Sequence, residues 1–193
     1  TNTIGNVITD TTGDAIRVIG GMNNLIAGNV IGLLADLSFA GTNNIRGDGI
    51  YVDGSNNARI TGNIISETHS TAFDVGSGIH VKNADAARIG GADQDANILS
   101  NIGWDGVKLG NTTNAVVDSN IIDNVERVGI YAGNTTGTEI INNVLTDGNT
   151  SLDGYGAIST DFGSNLTITN NRIKRSTGHG IRVNAAGGTV LVD

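Results

Sequence analysis

The feature that most constrains the fold is a short unit that recurs along the whole chain. Each copy consists of a small residue, a β-branched or Leu residue, any residue, and then usually an apolar residue. The second residue of the unit recurs after 34, 29, 28, 23, 28 and 23 positions, at Ile16, Ile50, Ile79, Val107, Ile130, Ile158 and Ile181. Repeats of this length predict a solenoid whose coils each contribute the same short elements.

A second unit alternates with the first and contains an asparagine. It consists of an apolar residue, two further residues, Asn, any residue, and an apolar residue, and its asparagines are Asn29, Asn63, Asn120, Asn143 and Asn171, with Asn6 and Asn97 in a variant spacing. Both units alternate inward and outward residues as strands do. We therefore expect the aliphatic residues to stack in one buried column and the asparagines to stack at a bend, as scaffold.

Composition supports a thin stacked core. The chain contains 29 Gly, no Pro and no Cys, and aromatic residues make up 4% of it, so the core must be built from Ile, Val, Leu and Ala. The predicted fold class is all-β, a single parallel β-helix of about seven coils over residues 1–193, as a segment of a longer protein.

The formal charge of −8 restricts the partners. Such a surface repels phosphate backbones and anionic membranes, so the sequence predicts no nucleic-acid partner. No apolar run reaches the length of a membrane span, so we expect no membrane insertion. The lack of Cys excludes disulfides and thiolate metal sites.

Three stretches of the repeat resemble the pectate-lyase-like superfamily of right-handed parallel β-helices. They are GDGIYVDGSNNARITGNIIS (47–66), NAVVDSNIIDNVERVGIYAGN (114–134) and NLTITNNRIKRSTGHGIRVNA (165–185). The resemblance implies a right-handed helix in a secreted or cell-surface protein. That superfamily includes polysaccharide lyases, hydrolases, uronan epimerases, tailspikes and adhesins, so the resemblance leaves the activity open.

Three outward rows beside the aliphatic column form the surface that can carry chemistry. One residue after the column come Arg17, Tyr51, His80, Lys108, Tyr131, Ser159 and Arg182, and three residues after it come Asp53, Lys82 and Asp161. The row before the column is expected to contain Asp14, Asp48, Asp105, Tyr155 and His179. The predicted ligand-binding residues are Arg17, Tyr51, His80, Lys82, Lys108, Tyr131, Tyr155, Asp161, His179 and Arg182.

Two kinds of catalysis fit these residue types. Removal of the C5 proton of a uronate needs a base and a nearby cation, for which Tyr51, His80, Lys108 and Tyr131 are the candidates. Hydrolysis needs two carboxylates, for which Asp48, Asp53 and Asp105 are the candidates. Exposed polar residues are also ordinary on the outer face of a strand, so a non-catalytic face is the competing interpretation.

Insertions between the units are the other candidate functional segments, at 33–46, 67–76, 90–96 and 147–155. Asp93 and Asp95 in the third insertion are weak candidates for holding Ca²⁺, and no cofactor is required.

The sequence does not contain the signature motif of a catalytic family. Our leading hypothesis is therefore a non-catalytic stalk or glycan-contacting adhesin at the cell surface. The alternatives are a polysaccharide lyase, C-5 epimerase or glycoside hydrolase that uses the polar rows, and a subunit that self-associates end to end.

Overall fold

The computed structural model describes residues 5–41, 44–69, 75–148 and 154–193. These residues form strands joined by turns, with a single 3₁₀ turn at Asp93–Asp95. The strands are β1 (Val7–Ile8), β2 (Ile16–Ile19), β3 (Leu25–Ala27), β4 (Val30–Ile31), β5 (Ile50–Asp53), β6 (Arg59–Thr61), β7 (Ile64–Thr68), β8 (Ile79–Lys82), β9 (Arg88–Gly90), β10 (Ile98–Ile102), β11 (Asp105–Gly110), β12 (Val116–Asp118), β13 (Ile121–Val125), β14 (Val128–Gly133), β15 (Glu139–Ile141), β16 (Val144–Gly148), β17 (Gly156–Thr169), β18 (Arg172–Lys174) and β19 (His179–Val192).

The strands stack into three parallel ladders. Ladder 1 contains β2, β5, β8, β11, β14 and the first halves of β17 and β19. Ladder 2 contains β3, β6, β9, β12, β15 and the second halves of β17 and β19. Ladder 3 contains β1, β4, β7, β10, β13, β16 and β18. The chain visits the ladders in a fixed order, which confirms the predicted β-helix of about seven coils.

The predicted aliphatic column is the inner row of ladder 1. Successive coils pair Ile16 with Ile50, Ile50 with Ile79, and so on through to Ile158 with Ile181. The column residues from Ile50 to Ile158 are fully buried, as are Ile60 and Ile89 of ladder 2 and Leu99 of ladder 3. This apolar core stabilises the rod, and no residue within it is free to do chemistry.

The predicted asparagine column lies at the bend between ladders 2 and 3. Each carboxamide donates to the Oδ1 of the next, as from Asn97 to Asn120 and from Asn120 to Asn143, both at 3.0 Å. The backbone N–H of Asn120 also donates to Asn143 Oδ1 at 2.9 Å, and its side chain donates to the carbonyl of Ile89. The column satisfies the backbone of a bend that water does not reach, so its role is structural.

The small residue before the column is required by close packing. A Cβ on Gly106 would lie 2.5 Å from the carbonyl oxygen of Gly129, and one on Gly78 would lie 2.5 Å from Leu99. Real Cβ atoms do not approach this closely. Glycine at this position therefore allows the start of each ladder 1 strand to pack directly against the next coil.

The insertions are described only in part, since residues 42–43, 70–74 and 149–153 lie outside the described residues. Among the residues that the structure describes, no helix is long and apolar enough to cross a bilayer.

Candidate functional site

The outer surface of ladder 1 carries the predicted polar rows, and we call it the polar face. The pairings between strands place Arg17, Tyr51, His80, Lys108, Tyr131, Ser159 and Arg182 in one row. A second row contains Asp53, Lys82 and Asp161. Half of these ten side chains are buried, because Tyr51, His80, Lys108 and Asp161 are only 6–8% exposed and Ser159 is fully buried.

His80 is held in a fixed orientation by Asp48. The Nδ1 of His80 lies 2.9 Å from Asp48 Oδ2, and both side chains are nearly buried. The other carboxylate oxygen of Asp48 accepts hydrogen bonds from the backbone N–H groups of Gly76 and Ser77. With a carboxylate fixing Nδ1, Nε2 is the ring nitrogen that remains to exchange a proton.

Lys108 lies between His80 and Tyr131 at the centre of the row, since its strand pairs with those of both neighbours. Its side chain is 7% exposed. Burial, and then the positive charge of Arg127, lower the pKa of the Lys108 amine to about 8, while Asp48 opposes the change. A lysine with a pKa near neutrality can act as a base, whereas an ordinary surface lysine is almost always protonated.

Asp105 and Arg127 form a buried ion pair beside Lys108. Arg127 Nη1 lies 2.9 Å from both carboxylate oxygens of Asp105, whose side chain has no exposed surface. Burial raises the pKa of Asp105 to about 7 despite the opposing charges of Arg127 and His80. Burial lowers the pKa of Arg127 and Asp105 raises it, with a net upward shift. The guanidinium is thus a fixed positive charge at the centre of the face.

Arg127 belongs to a fourth row that the sequence reasoning missed. Its guanidinium carbon lies 5.0 Å from the ring centre of Trp104, 4.3 Å from that of Tyr155 and 5.1 Å from that of Tyr131. Trp104, Arg127 and Tyr155 each stand three residues before the aliphatic column. This shared offset was the signal available in the sequence.

The assignment of Tyr155 to the same row as His179 was therefore wrong. The residue two positions before the column in that coil is Gly156, and it pairs with His179. Tyr155 instead contacts the ring of Tyr131 edge-on, at 6.0 Å between centres.

Tyr131 and Asp161 occupy the upper part of the face, which the C-terminal coils form. The Tyr131 hydroxyl donates to Asp161 Oδ2 at 3.3 Å, and Arg182 Nη1 lies 2.9 Å from Asp161 Oδ1. Burial, followed by the negative charge of Asp161, raises the pKa of Tyr131 to about 12. Tyr131 consequently keeps its proton and is a hydrogen-bond donor, not the base that the sequence allowed.

The lower part of the face, which the N-terminal coils form, is built around Tyr51. Arg17 and Lys82 lie over its ring, at 4.5 and 5.3 Å from the centre, and His80 contacts it edge-on. The Tyr51 hydroxyl donates to Asp53, which also pairs with Lys82 at 3.4 Å. The Asn83 hydrogen bond and Lys82 lower the pKa of Asp53. Arg17, Tyr51, His80 and Lys82 line an open depression of about 350 Å³ together with Asp14, Asp48 and Val75.

Three remaining candidates lie apart from this centre. His179 is exposed in the last coil. Asp93 and Asp95 form an exposed 3₁₀ turn after β9. Among the described residues, no group of three or more His, Cys, Asp or Glu could hold a metal ion. Every other candidate lies along the polar face, whereas Asp93 and Asp95 lie elsewhere and His179 lies exposed at the end of ladder 1.

The geometry favours proton transfer over hydrolysis. Asp48 is occupied by His80 and two backbone donors, Asp53 by Tyr51, Asn83 and Lys82, and Asp105 is fully buried against Arg127. None of the three presents the accessible carboxyl pair that glycoside hydrolysis requires. Lys108, in contrast, has an amine whose pKa is lowered to about 8, and it lies next to the oriented ring of His80.

A family model described as right handed beta helix region matches residues 77–193. The match covers more than half of the chain, and the chain belongs to this family of right-handed β-helices.

No curated protein matches the sequence at a significant level. Among solved structures, a mutant of the periplasmic alginate epimerase AlgG matches with 16% identity and a TM-score of 0.41. The match covers 93% of this chain and 46% of that one, so the chain spans slightly less than half of that structure's length.

Proposed function

We propose that the polar face binds an acidic polysaccharide and removes the proton on the carbon next to a uronate carboxylate, with Lys108 as the base. The observation that carries this proposal is the enclosed Lys108 amine, whose pKa is lowered to about 8 beside His80 and Arg127. A stalk has no use for a buried, partly neutral amine, because desolvating it costs stability. Functional sites, however, commonly contain such perturbed groups.

The reaction is a proton transfer from carbon to nitrogen. The neutral Lys108 amine takes the C5 proton and becomes an ammonium, while the electron pair moves into the carboxylate as an enediolate. The new ammonium and the nearby Arg127 guanidinium stabilise that charge in a site with little water. His80, oriented by Asp48, is the second proton carrier. Return of a proton to the opposite face gives epimerisation, and loss of the C4 oxygen gives chain cleavage with an unsaturated end.

The second candidate is binding without turnover, as expected for a glycan-contacting adhesin. It is favoured by the cations stacked on aromatic rings, Arg17 and Lys82 on Tyr51 and Arg182 on Tyr155. Such stacks present flat apolar surfaces with adjacent charge, which suit sugar rings that carry carboxylates. Both candidates place the protein where polysaccharides occur, so we propose a secreted or cell-surface location.

The deciding experiment is incubation of the protein with polymannuronate, polyguluronate and polygalacturonate in D₂O. Deuterium at C5, measured by NMR and mass spectrometry, would support proton abstraction, and ultraviolet absorbance from unsaturated ends would identify elimination. Binding of these polymers without deuterium uptake or cleavage would overturn the catalytic proposal in favour of the adhesin. Size-exclusion chromatography over a range of concentrations tests self-association in parallel.

Lys108→Met tests the assigned base. Because the amine must be neutral to accept a proton, kcat/KM should rise with pH through about 8 and then level off. Lys108→Met should lower kcat at least about 100-fold, the usual contribution of a general base. Arg17→Met, at the exposed lower end of the face, is the control and should mainly raise KM. An unchanged pH profile in Lys108→Met would show that another group is the base.

A further inference from the structure

Ladder 2 carries two arginines on its outer surface that have no counter-charge. Arg59 and Arg88 pair directly across β6 and β9, so their backbones are about 4.8 Å apart. Both side chains are exposed. Neither guanidinium forms an ion pair or hydrogen bond with any residue that the structure describes. By contrast, Arg17, Arg127, Arg175 and Arg182 each pair with an aspartate.

Like charges placed directly opposite each other across strands destabilise a sheet. The chain contains 19 acidic residues against 11 basic ones, so unpaired arginines on adjacent coils are not a consequence of a scarcity of carboxylates. The exposed carboxylate nearest in the sequence, Asp85, is bound by Thr113 and Asn114 instead. Those hydrogen bonds lower the pKa of Asp85, and no arginine contributes to that shift.

The surroundings of the pair have the mixed character of a saccharide site. The arginines line an open depression of about 410 Å³ together with the carboxamides of Asn57 and Asn114. The same outer row continues into Leu25, which is 66% exposed, on one side and Val116 on the other. Guanidinium groups bind carboxylates through two parallel hydrogen bonds, carboxamides bind hydroxyls, and apolar side chains pack on the C–H faces of sugar rings.

We infer that the Arg59–Arg88 pair is a second binding site for an acidic polysaccharide, on a different ladder from the polar face. One extended chain with a carboxylate on each sugar would neutralise both arginines at once. This inference takes its ligand class, uronate chains, from the proposed function. Its position on ladder 2 is independent of the polar face.

The test is titration of ¹⁵N-labelled protein with a short oligogalacturonate and, separately, with a sulfated oligosaccharide of similar length. Binding of the uronate chain should shift the Arg59 and Arg88 Nε resonances. The double variant Arg59→Gln/Arg88→Gln should weaken that site by roughly tenfold or more, since two charge-assisted contacts are lost. Arg172→Gln/Lys174→Gln, which replaces two exposed cations on ladder 3, is the control with a matched loss of two charges.

If the double variant binds the uronate chain as tightly as the wild type does, the inference is wrong. A preference for the sulfated chain would overturn the assignment to uronates. The double variant should still produce product from short substrates, because it leaves Lys108 and its neighbours in place. Loss of turnover in Lys108→Met with normal shifts at the two arginines would show that the two sites are separate. Shifts of the Arg59 and Arg88 Nε resonances without any turnover would contradict the proposed reaction but would support the second binding site.

Discussion

At the scale of single residues, the polar face differs from an ordinary solvated strand row in how fully its charges are paired and enclosed. Asp48 orients His80, Asp105 holds Arg127, and Asp161 binds Tyr131 and Arg182. Each aspartate thus holds a neighbouring side chain of the polar face in place. Because the positive charge of Arg127 contributes to the lowered pKa of Lys108, that pKa depends on the Asp105–Arg127 pair.

Replacement of Arg127 by Met should therefore destabilise the protein strongly. The change leaves Asp105 buried without its counter-charge. Because the pKa of this carboxyl is already about 7, it escapes part of the penalty at pH 8 by binding a proton, and we expect a loss of roughly 2–3 kcal/mol. Urea unfolding followed by circular dichroism would measure the loss. Arg182→Met, which removes a partner of Asp161 but is more exposed, is the matched control and should cost about 1 kcal/mol.

A double variant keeps this prediction testable if Arg127→Met alone fails to fold. Adding Asp105→Leu replaces the unpaired carboxylate by an apolar group of similar size and should recover most of the lost stability. Equal stability of Arg127→Met and the wild type would mean that Asp105 finds another partner or binds a proton at little cost.

At the scale of elements, the repeat determined much more of the structure than of the site. The spacing of Ile16, Ile50 and the later column residues predicted both the ladder and its register, because one buried face fixes strand register strongly. The asparagine column followed from the second unit for a similar reason. The three outer rows were predictable because they are set by register alone.

The contacts within the site were not predictable to the same degree. Whether Lys108 would point into solvent or lie enclosed depends on the bulk of its neighbours and on Arg127, a residue outside the predicted rows. The 3₁₀ turn at Asp93 and Asp95 belongs to an insertion and not to the repeat, so the sequence could not specify its geometry, although the backbone N–H of Gly62 in the preceding coil donates to the Asp95 carbonyl. Register is a property of the repeat, whereas burial of an outer side chain depends on residues that do not repeat.

The asparagine column should behave as one structural element, and Asn120→Ala tests this. The variant removes the Oδ1 that accepts from Asn97 and the donor that satisfies Ile89, and it leaves several buried groups unpaired. We expect a loss of roughly 3 kcal/mol or more in the free energy of unfolding. Chemical denaturation is the measurement.

Asn111→Gly is the control for the column. Asn111 joins an exposed run of asparagines with Asn83 and Asn134, and its φ of 52° is one that glycine accepts readily. Its removal should cost less than about 1 kcal/mol, because water replaces the lost partners. Similar losses in both variants would contradict the distinction between a buried scaffold column and an exposed one.

At the scale of the whole molecule, the rod is a stack of similar coils in which one coil carries an unusual concentration of buried charge. Stability in a solenoid is approximately a sum of coil and neighbour contributions. The costs of burying Asp105 and Lys108 are therefore borne by the central coil, and they should be visible in the pH dependence of global unfolding.

The signs follow from the two pKa shifts. Asp105 has a raised pKa of about 7, so the folded state binds more protons than the unfolded state between about pH 4 and 7, and stability falls as pH rises through that window. Lys108 has a pKa lowered to about 8, so between about pH 8 and 10.5 the unfolded state binds more protons. Its contribution therefore makes stability rise with pH there. Together the two groups lower the free energy of unfolding most between about pH 7 and 8.

Lys108→Met should remove the upper half of this pH dependence. The lysine's cost, roughly 3 kcal/mol at its greatest, is present below about pH 8 and disappears toward pH 10.5. The variant should therefore be more stable than the wild type at pH 7.5, and the two should converge at high pH. Urea unfolding at pH 7.5, 9 and 10.5 measures the difference, with Lys174→Met on the exposed end of ladder 3 as the control. A difference between Lys108→Met and the wild type that stayed constant across these pH values would show that the Lys108 amine is not desolvated in the folded protein. Convergence would show that the protein sacrifices stability to keep a reactive amine on its polar face, as expected of a catalytic surface but not of a stalk.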